Sequence, residues 1–308
     1  MLMRLLKGRP AGKPAQAGSP TSAAGARKVV ILTPPHTVYL AHLVFKCLSE
    51  AGFDVSINVG EHEGEFGGLH FVVLCPQVFR RLPDSFIAFQ MEQAGSSWFD
   101  QGYLSLLQNP GVRVLEYSAL NLPFLRSKDV PVERVRVAQL TMLPDYPAFL
   151  AEHRLFTAGP PGKDFDVLFY GGINERRFTA LSKLDREFRL KVATNAFGPG
   201  LYELISRSRV VVNLHFGDES PLESTRIFEA LSLGARIVSE DSTDSATYRG
   251  LDTRVSFVRS GDTDGAIQAI RRALQDQRAA PPGDAAAFDE FSRALEWAVS
   301  ALGWRGRA

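Results

Sequence analysis

The chain has 308 residues, 45% of them hydrophobic and 22% charged, a composition that suits a globular protein too long for one typical core. Its 35 basic and 34 acidic residues leave a net charge of +1, so no overall field draws in nucleic acid and that partner class is set aside. Cys47 and Cys75 stand in apolar runs without a CxxC or CxxH partner and read as free buried thiols of a reducing compartment.

No apolar run nears the roughly 20 residues of a membrane span. The opening MLMRLLKGRP has too short an apolar stretch for a signal peptide. The expectation is a cytoplasmic protein with no transmembrane segment, peripheral membrane contact being left open. Residues 1–27 are read as a disordered tail, since 8–27 are rich in Gly, Ala, Pro and Ser and lack apolar periodicity. Order begins at KVVILTPP, a short apolar run that predicts a buried strand. HTVYLAHLVFKCLSEAGFDV follows, with Leu40, Leu43, Val44, Cys47 and Leu48 at helical spacing and Gly52 as the stop. Further strands are predicted at DVSINV, 69–75, 85–91, 112–117 and 134–140, with helical stretches near 99–108 and 118–127. Alternation of this kind means a parallel sheet covered on both faces.

From 141 to 163 the alternation lapses into a Pro- and Gly-rich stretch, and the pattern then restarts. The division expected is a first Rossmann-like domain over 28–150, a linker over 151–163 and a second Rossmann-like domain over 164–308. The second half reads as strand DFDVLFYG, helix NERRFTALSKLDREF, strand LKVATN, helix LYELISRSR and strand VVVNLHF. A helix over 220–233, strands ARIVSE and RVSFVR, and two amphipathic helices complete it. The fold class expected is α/β, two doubly wound domains facing across a cleft.

The segment ESPLESTRIFEALSLG (219–234) sets the functional question. Ser220 as cap, Pro221 at the first helical position and Glu223 three residues after the cap fit a capping box. At 100° per residue, Ile227, Ala230, Leu231 and Gly234 share the core side, while Leu222, Arg226, Glu229 and Leu233 share another. An ion pair on a solvated face is one reading of Arg226 and Glu229. Ligand contact is the other, because leucines share that face and the preceding strand aims its carboxyl end, with His215, at the same loop. VVVNLHFGDESPLESTRIFEALSLGARIVSED resembles the donor-binding motif of GT-B glycosyltransferases, in particular the family-4-like branch and its spore-maturation-type relatives. The resemblance implies that Glu229 holds the ribose of a nucleotide-sugar and that Arg226 faces the diphosphate or holds Glu229. It also implies a C-terminal helix that crosses back to the first half. The family pattern has a second glutamate eight positions before Glu229, where this chain has Pro221, with Glu219 and Glu223 as neighbours.

FYGGINERRFTAL fits the same picture. Gly171 and Gly172 let backbone approach a phosphate, and Asn174 can cap the next helix. Arg176 and Arg177 stand in its first turn, which disfavours cations unless an anion binds there. Two solvated arginines are the alternative. Phe197, in ATNAFGPG, can stack on a base or tuck into core. No GxGxxG or GxxxxGK[ST] occurs, which removes support from dinucleotide oxidoreductases and P-loop kinases. No metal or other cofactor is expected. Asp164 and Asp166 precede their strand, on the wrong side for a sugar-nucleotide metal, and no other cluster has metal spacing. In the first half, His36 and Glu92 follow the carboxyl ends of strands and are candidate catalytic bases. Loop polarity is the competing reading for each.

The function expected is transfer of a sugar from a nucleotide-sugar to a glycan, lipid-linked or protein acceptor, in surface polysaccharide or glycoconjugate synthesis. A nucleotide-sugar epimerase or hydrolase on the same fold and a noncatalytic two-lobed ligand-binding module remain the rivals.

Overall fold

Runs of valine, isoleucine, leucine and phenylalanine become the inner strands of two parallel sheets in the computed structural model, which describes residues 28–306 except 158, 160, 161, 218, 219 and 277–282. The tail expected over 1–27 lies outside the described residues. The first sheet contains β1 (Lys28–Thr33), β2 (Asp54–Val59), β3 (His70–Leu74), β4 (Phe86–Gln90), β5 (Val112–Glu116) and β6 (Val135–Val137). Its spatial order is β2-β1-β3-β4-β5-β6, and every pairing is parallel. The second sheet is β11-β10-β9-β7-β8, again parallel throughout. Its strands are β7 (Phe165–Tyr170), β8 (Leu190–Ala193), β9 (Ser208–Asn213), β10 (Arg236–Glu240) and β11 (Val255–Val258).

Helices cover both faces of each sheet because neighbouring residues of a parallel strand point to opposite faces and both faces are apolar. On one face of the first sheet Val30, Leu32, Phe71 and Val73 pack with Tyr103 and Leu107 of α2 (Tyr103–Gln108) and Leu125 of α3 (Leu122–Ser127). On the other, Val29, Ile31, Val72 and Phe89 meet Leu40, Leu43 and Val44 of α1 (Val38–Glu50). That second core runs on without a break into the other half, through Leu168, Tyr170 and Val211 to α6 (Pro199–Ser206) and α7 (Ser224–Ser232). The far face of the second sheet is closed by α5 (Glu175–Glu187) and α8 (Thr263–Gln275).

Two features tie the halves. Within the stretch where alternation lapses lies α4 (Tyr146–Glu152), whose Tyr146 and Leu150 are fully buried. The Tyr146 hydroxyl donates to the Tyr202 hydroxyl of α6 at 3.0 Å and meets His42 Nδ1 of α1 at 2.9 Å. Seven residues starting beside a proline are too few to show a helical period, so composition alone reads them as loop. The last helix, α9 (Ala285–Ala301), crosses back to the first sheet, where Phe291 stacks on Phe89 with ring centroids 5.9 Å apart. Beyond it Trp304 stacks on His70 at 4.4 Å.

Helix α7 differs from its expected form. It begins at Ser224, and its N-cap, Glu223, makes no side-chain capping bond. Ser220 Oγ donates to the Gly217 carbonyl instead, and the Leu222 amide donates to Asp244 Oδ1. The capping box over Ser220 and Glu223 is therefore corrected. A buried carboxylate takes the amide, and charges outside the helix draw the Glu223 side chain away.

Candidate functional site

In both sheets the second strand lies on one side of the first and the third on the other, so the strand order reverses at β1/β3 and at β7/β9 while all strands stay parallel. The loops leaving those paired strands part at the carboxyl end, which opens a crevice where ligands of doubly wound sheets bind. In the second half this crevice is bounded by Gly171 and Gly172 after β7 and by Leu214, His215 and Phe216 after β9.

The structure brings most of the expected donor residues together there. Arg177 is 3% exposed and spends its guanidinium on three acceptors. Its Nε donates to the Leu214 carbonyl at 2.9 Å, Nη1 to the Gly172 carbonyl at 2.8 Å and Nη2 to Glu223 Oε1 at 2.6 Å. The Phe216 ring lies 5.2 Å from its guanidinium carbon. Arg226 reaches across from α7: Nη1 donates to Asn213 Oδ1 and sits 3.5 Å from Glu223 Oε2. Its Nη2 would lie 2.5 Å from a Cβ at position 171, and Gly171 has φ of +135°. Any side chain there would have to displace the guanidinium, so the glycine sets how close Arg226 comes to the loop. Asn174 caps α5, its Oδ1 accepting from the Arg177 amide at 3.0 Å, and its Nδ2 donates to the Phe216 carbonyl.

His215 is fully buried, and both ring nitrogens face acceptors: Nδ1 meets Glu223 Oε2 at 3.0 Å and Nε2 meets the Asp241 carbonyl at 3.1 Å. A neutral imidazole can donate to only one of them, so the geometry favours the imidazolium. Burial works against that charge, but Glu223, Glu240 and the Asp241 carbonyl outweigh it and raise the His215 pKa. For Glu223, burial is likewise opposed and outweighed, here by His215, Arg226 and Arg177, which hold its carboxyl at about 2. Three cationic groups thus surround one carboxylate, an excess of positive charge beside a glycine loop and a helix N-terminus.

Other expected residues sit elsewhere. Arg176 forms a two-pronged pair with Glu240, at 2.8 and 2.7 Å, and also donates to the His215 carbonyl and Ser260 Oγ. It braces the carboxyl ends of β9 and β10. Phe197 is exposed on the loop after β8, its ring 6.4 Å from that of His36 in the first half. His36 follows β1, partly exposed, with its Nε2 edge 4.0 Å from the buried Cys75 thiol. That partial burial lowers its pKa, with Glu92 acting in the opposite sense. Glu92 accepts from Gln77 Nε2 at 2.7 Å and from Ser96 Oγ at 2.9 Å. Asp164 and Asp166 lie at the entering end of β7, paired with Arg207 and Arg189.

Glu229 lies on α7 one turn beyond Arg226, 7% exposed, and its carboxyl has no hydrogen-bond partner among the described residues. Tyr39, Tyr146, Tyr170 and Tyr202 surround it closely enough that its charge, after burial, helps raise their hydroxyl pKa values. Burial pushes Glu229 itself up to about 8, with Arg226 opposing. A folded-state pKa above the ordinary 4.5 means the folded protein binds a proton that the unfolded chain releases. The associated stability is complete below the unfolded value and is lost as pH rises through about 8. The melting temperature is expected to fall between pH 5 and 9, and Glu229→Gln should flatten that fall while leaving the fold intact. A pH series of thermal denaturation curves checks this, and parallel curves for the two proteins would contradict it.

Residues that the sequence did not single out complete the site. Glu240, 4% exposed, receives the His215 amide and the Gly261 amide as well as Arg176. Glu116, fully buried at the end of β5, accepts from Gln90, Asn121 and the Ser118 amide. An acid at the last residue of a buried strand was the available signal in both cases.

No protein-family model and no curated protein matches the chain by sequence. Among solved structures, it is similar to a glycosyltransferase from Rickettsia africae ESF-5, with 10% identity over 91% of this chain and 94% of that one and a TM-score of 0.44. A sucrose-phosphate synthase from Thermosynechococcus elongatus aligns at 13% identity over 90% and 96% of the chains, with a TM-score of 0.46. An Anabaena protein in complex with UDP and glucose aligns at 11% identity over 91% and 96%, with a TM-score of 0.47.

Proposed function

We propose that the chain is a GT-B-type glycosyltransferase that takes a nucleotide-sugar as donor in its second half and an acceptor in its first. One observation carries the reading: Arg177, Arg226 and His215 converge on a single carboxylate, Glu223, and the two guanidinium groups lie against the glycine loop. A diphosphate supplies the missing negative charge, and the cations stabilise it as a leaving group when the sugar–phosphate bond breaks, the work a metal does in other transferases. Glu229, a carboxyl without a partner among the described residues, is the acceptor for ribose hydroxyls. Phe197 and His36 line the gap between the halves, with His36 or Glu92 taking the acceptor proton. The acceptor is a glycan, a lipid-linked sugar or a protein, within cytoplasmic synthesis of surface polysaccharide or glycoconjugate.

The test is a thermal-shift panel of uridine, guanosine, thymidine and adenosine diphosphates in the presence of a chelator. A ligand at a hundredfold excess over its Kd stabilises by about 2.7 kcal/mol. At least one diphosphate should raise the melting temperature accordingly, and the corresponding nucleoside should not. No shift with any of the four would overturn the reading.

A further inference from the structure

The segment that carries Glu223 is held from the other half of the molecule. Asp244, 1% exposed, accepts from the Leu222 amide at 2.8 Å through Oδ1 and from Ser118 Oγ at 2.9 Å through Oδ2. Leu222 precedes Glu223, whereas Ser118 belongs to the first half, just after β5. Among the described residues Asp244 has no ion-pair partner, so these donors from opposite sides of the cleft are what compensate its buried charge. The same turn is gripped a second time, because Thr247 Oγ1 donates to the Asp244 carbonyl at 2.7 Å and accepts from Gln139 Nε2 at 2.7 Å.

On the first-half side the path continues. The Ser118 amide donates to Glu116 Oε1 at 3.0 Å, and Asn121 donates both to that oxygen at 2.8 Å and to the Glu92 carbonyl at 2.9 Å. An unbroken series of hydrogen bonds and short backbone steps therefore leads from Glu92, at the mouth of the first sheet, to Glu223. We propose that Ser118 and Asp244 are positioning residues: closure of the first half onto the second sets the Glu223 carboxylate among Arg177, His215 and Arg226. The proposal rests on the donor-site reading above for its functional meaning, but not for its geometry.

The physical argument is the cost of separation. Parting the halves by a few ångströms breaks the Ser118 bond and leaves a buried carboxylate under-satisfied, a costly state that favours either full closure or a shift of the whole 241–247 turn. A shift of that turn moves the Leu222 amide and, with it, Glu223. The cation cluster is then complete only in the closed molecule, so an open cleft would bind the diphosphate more weakly than a closed one.

His215 reports the position of Glu223. The groups facing it are the Glu223 carboxylate, the Asp241 carbonyl and Glu240 from the end of β10, Arg176 and Arg177 of α5 bound to the carbonyls of residues 215 and 214, and Arg226 of α7. Of these, Glu223 is the carboxylate carried by the segment that Asp244 holds, and the Asp241 carbonyl belongs to the same 241–247 turn as Asp244. Titration of the His215 ring by NMR in the full chain, without any ligand, tests the proposal directly. Ser118→Ala and Asp244→Ala should both lower the His215 midpoint. Asp244→Asn, whose amide can accept from Leu222 and donate to the Ser118 hydroxyl, should keep it near the wild-type value. With uridine diphosphate as probe, or whichever diphosphate the thermal panel selects, the two alanine variants should bind about fivefold or more weakly, the lower end of ordinary coupling between sites. A His215 midpoint unchanged in Ser118→Ala overturns the proposal, as does an Asp244→Asn protein that titrates like Asp244→Ala. If no diphosphate binds the wild-type chain but the midpoints move as stated, the positioning stands and the donor reading falls.

Discussion

Arg177→Ala is expected to lower diphosphate affinity by about a hundredfold or more, equivalent to the loss of one or two charge-assisted hydrogen bonds. It should also destabilise the fold. The side chain is 3% exposed and pins three separate elements, the carbonyls of Gly172 and Leu214 and the carboxylate of Glu223. Removing one member of such a buried pair costs about 3–5 kcal/mol. Arg177→Lys should restore little, because a point charge cannot bond the β7 loop, the β9 loop and Glu223 at once. Titration calorimetry separates the two effects when run well below the variant's melting temperature. A variant that melts early yet binds the diphosphate at wild-type strength would make Arg177 a brace of the loops and leave phosphate contact to Arg226.

His36→Ala should lower kcat by about a hundredfold or more, within the usual range for loss of a general base, while donor affinity holds. The lowered pKa of His36 leaves its imidazole neutral at pH 7, the form that can accept a proton. Its place after β1 puts it across the gap from the second half, where Phe197 approaches within 6.4 Å between ring centroids. If the chain transfers sugars as proposed, the acid limb of its pH–rate profile should therefore lie below the ordinary histidine value. Steady-state rates across pH 5–8 are the measurement. A His36→Ala variant at near-normal rate transfers the role to Glu92, which Gln77 and Ser96 hold just after β4.

The strands were legible because both faces of a parallel sheet demand unbroken apolar runs, and KVVILT or VVVN admits few other readings. The grouping of the candidate residues was legible where chemistry is local. Gly171 and Gly172 follow a strand, Asn174 caps the helix after them, and Arg226 and Glu229 lie together on one helix. It was not legible where partners are distant. Ser220, Pro221 and Glu223 match a capping box by spacing, yet Glu223 answers to Arg177, 46 residues earlier, and to His215. Nothing in the spacing of neighbouring Arg176 and Arg177 tells which guanidinium turns to Glu240 and which to Glu223. The bond between Ser118 and Asp244 spans 126 residues and two sheets, and no periodicity reports on it.

The return of α9 has a consequence for how the chain comes off the ribosome. The first sheet is completed by residues made after the second sheet: Phe291 covers Phe89, Trp297 lies under Arg136 at 5.2 Å, and Trp304 covers His70. While residues 164–284 are being synthesised, the earlier half must wait with the part of that face beside Phe89 uncovered, and at 5–20 residues per second the wait lasts from about 6 to 24 seconds. Chaperone capture during this interval should therefore concentrate on the half made first, and should end only when α9 has cleared the exit tunnel.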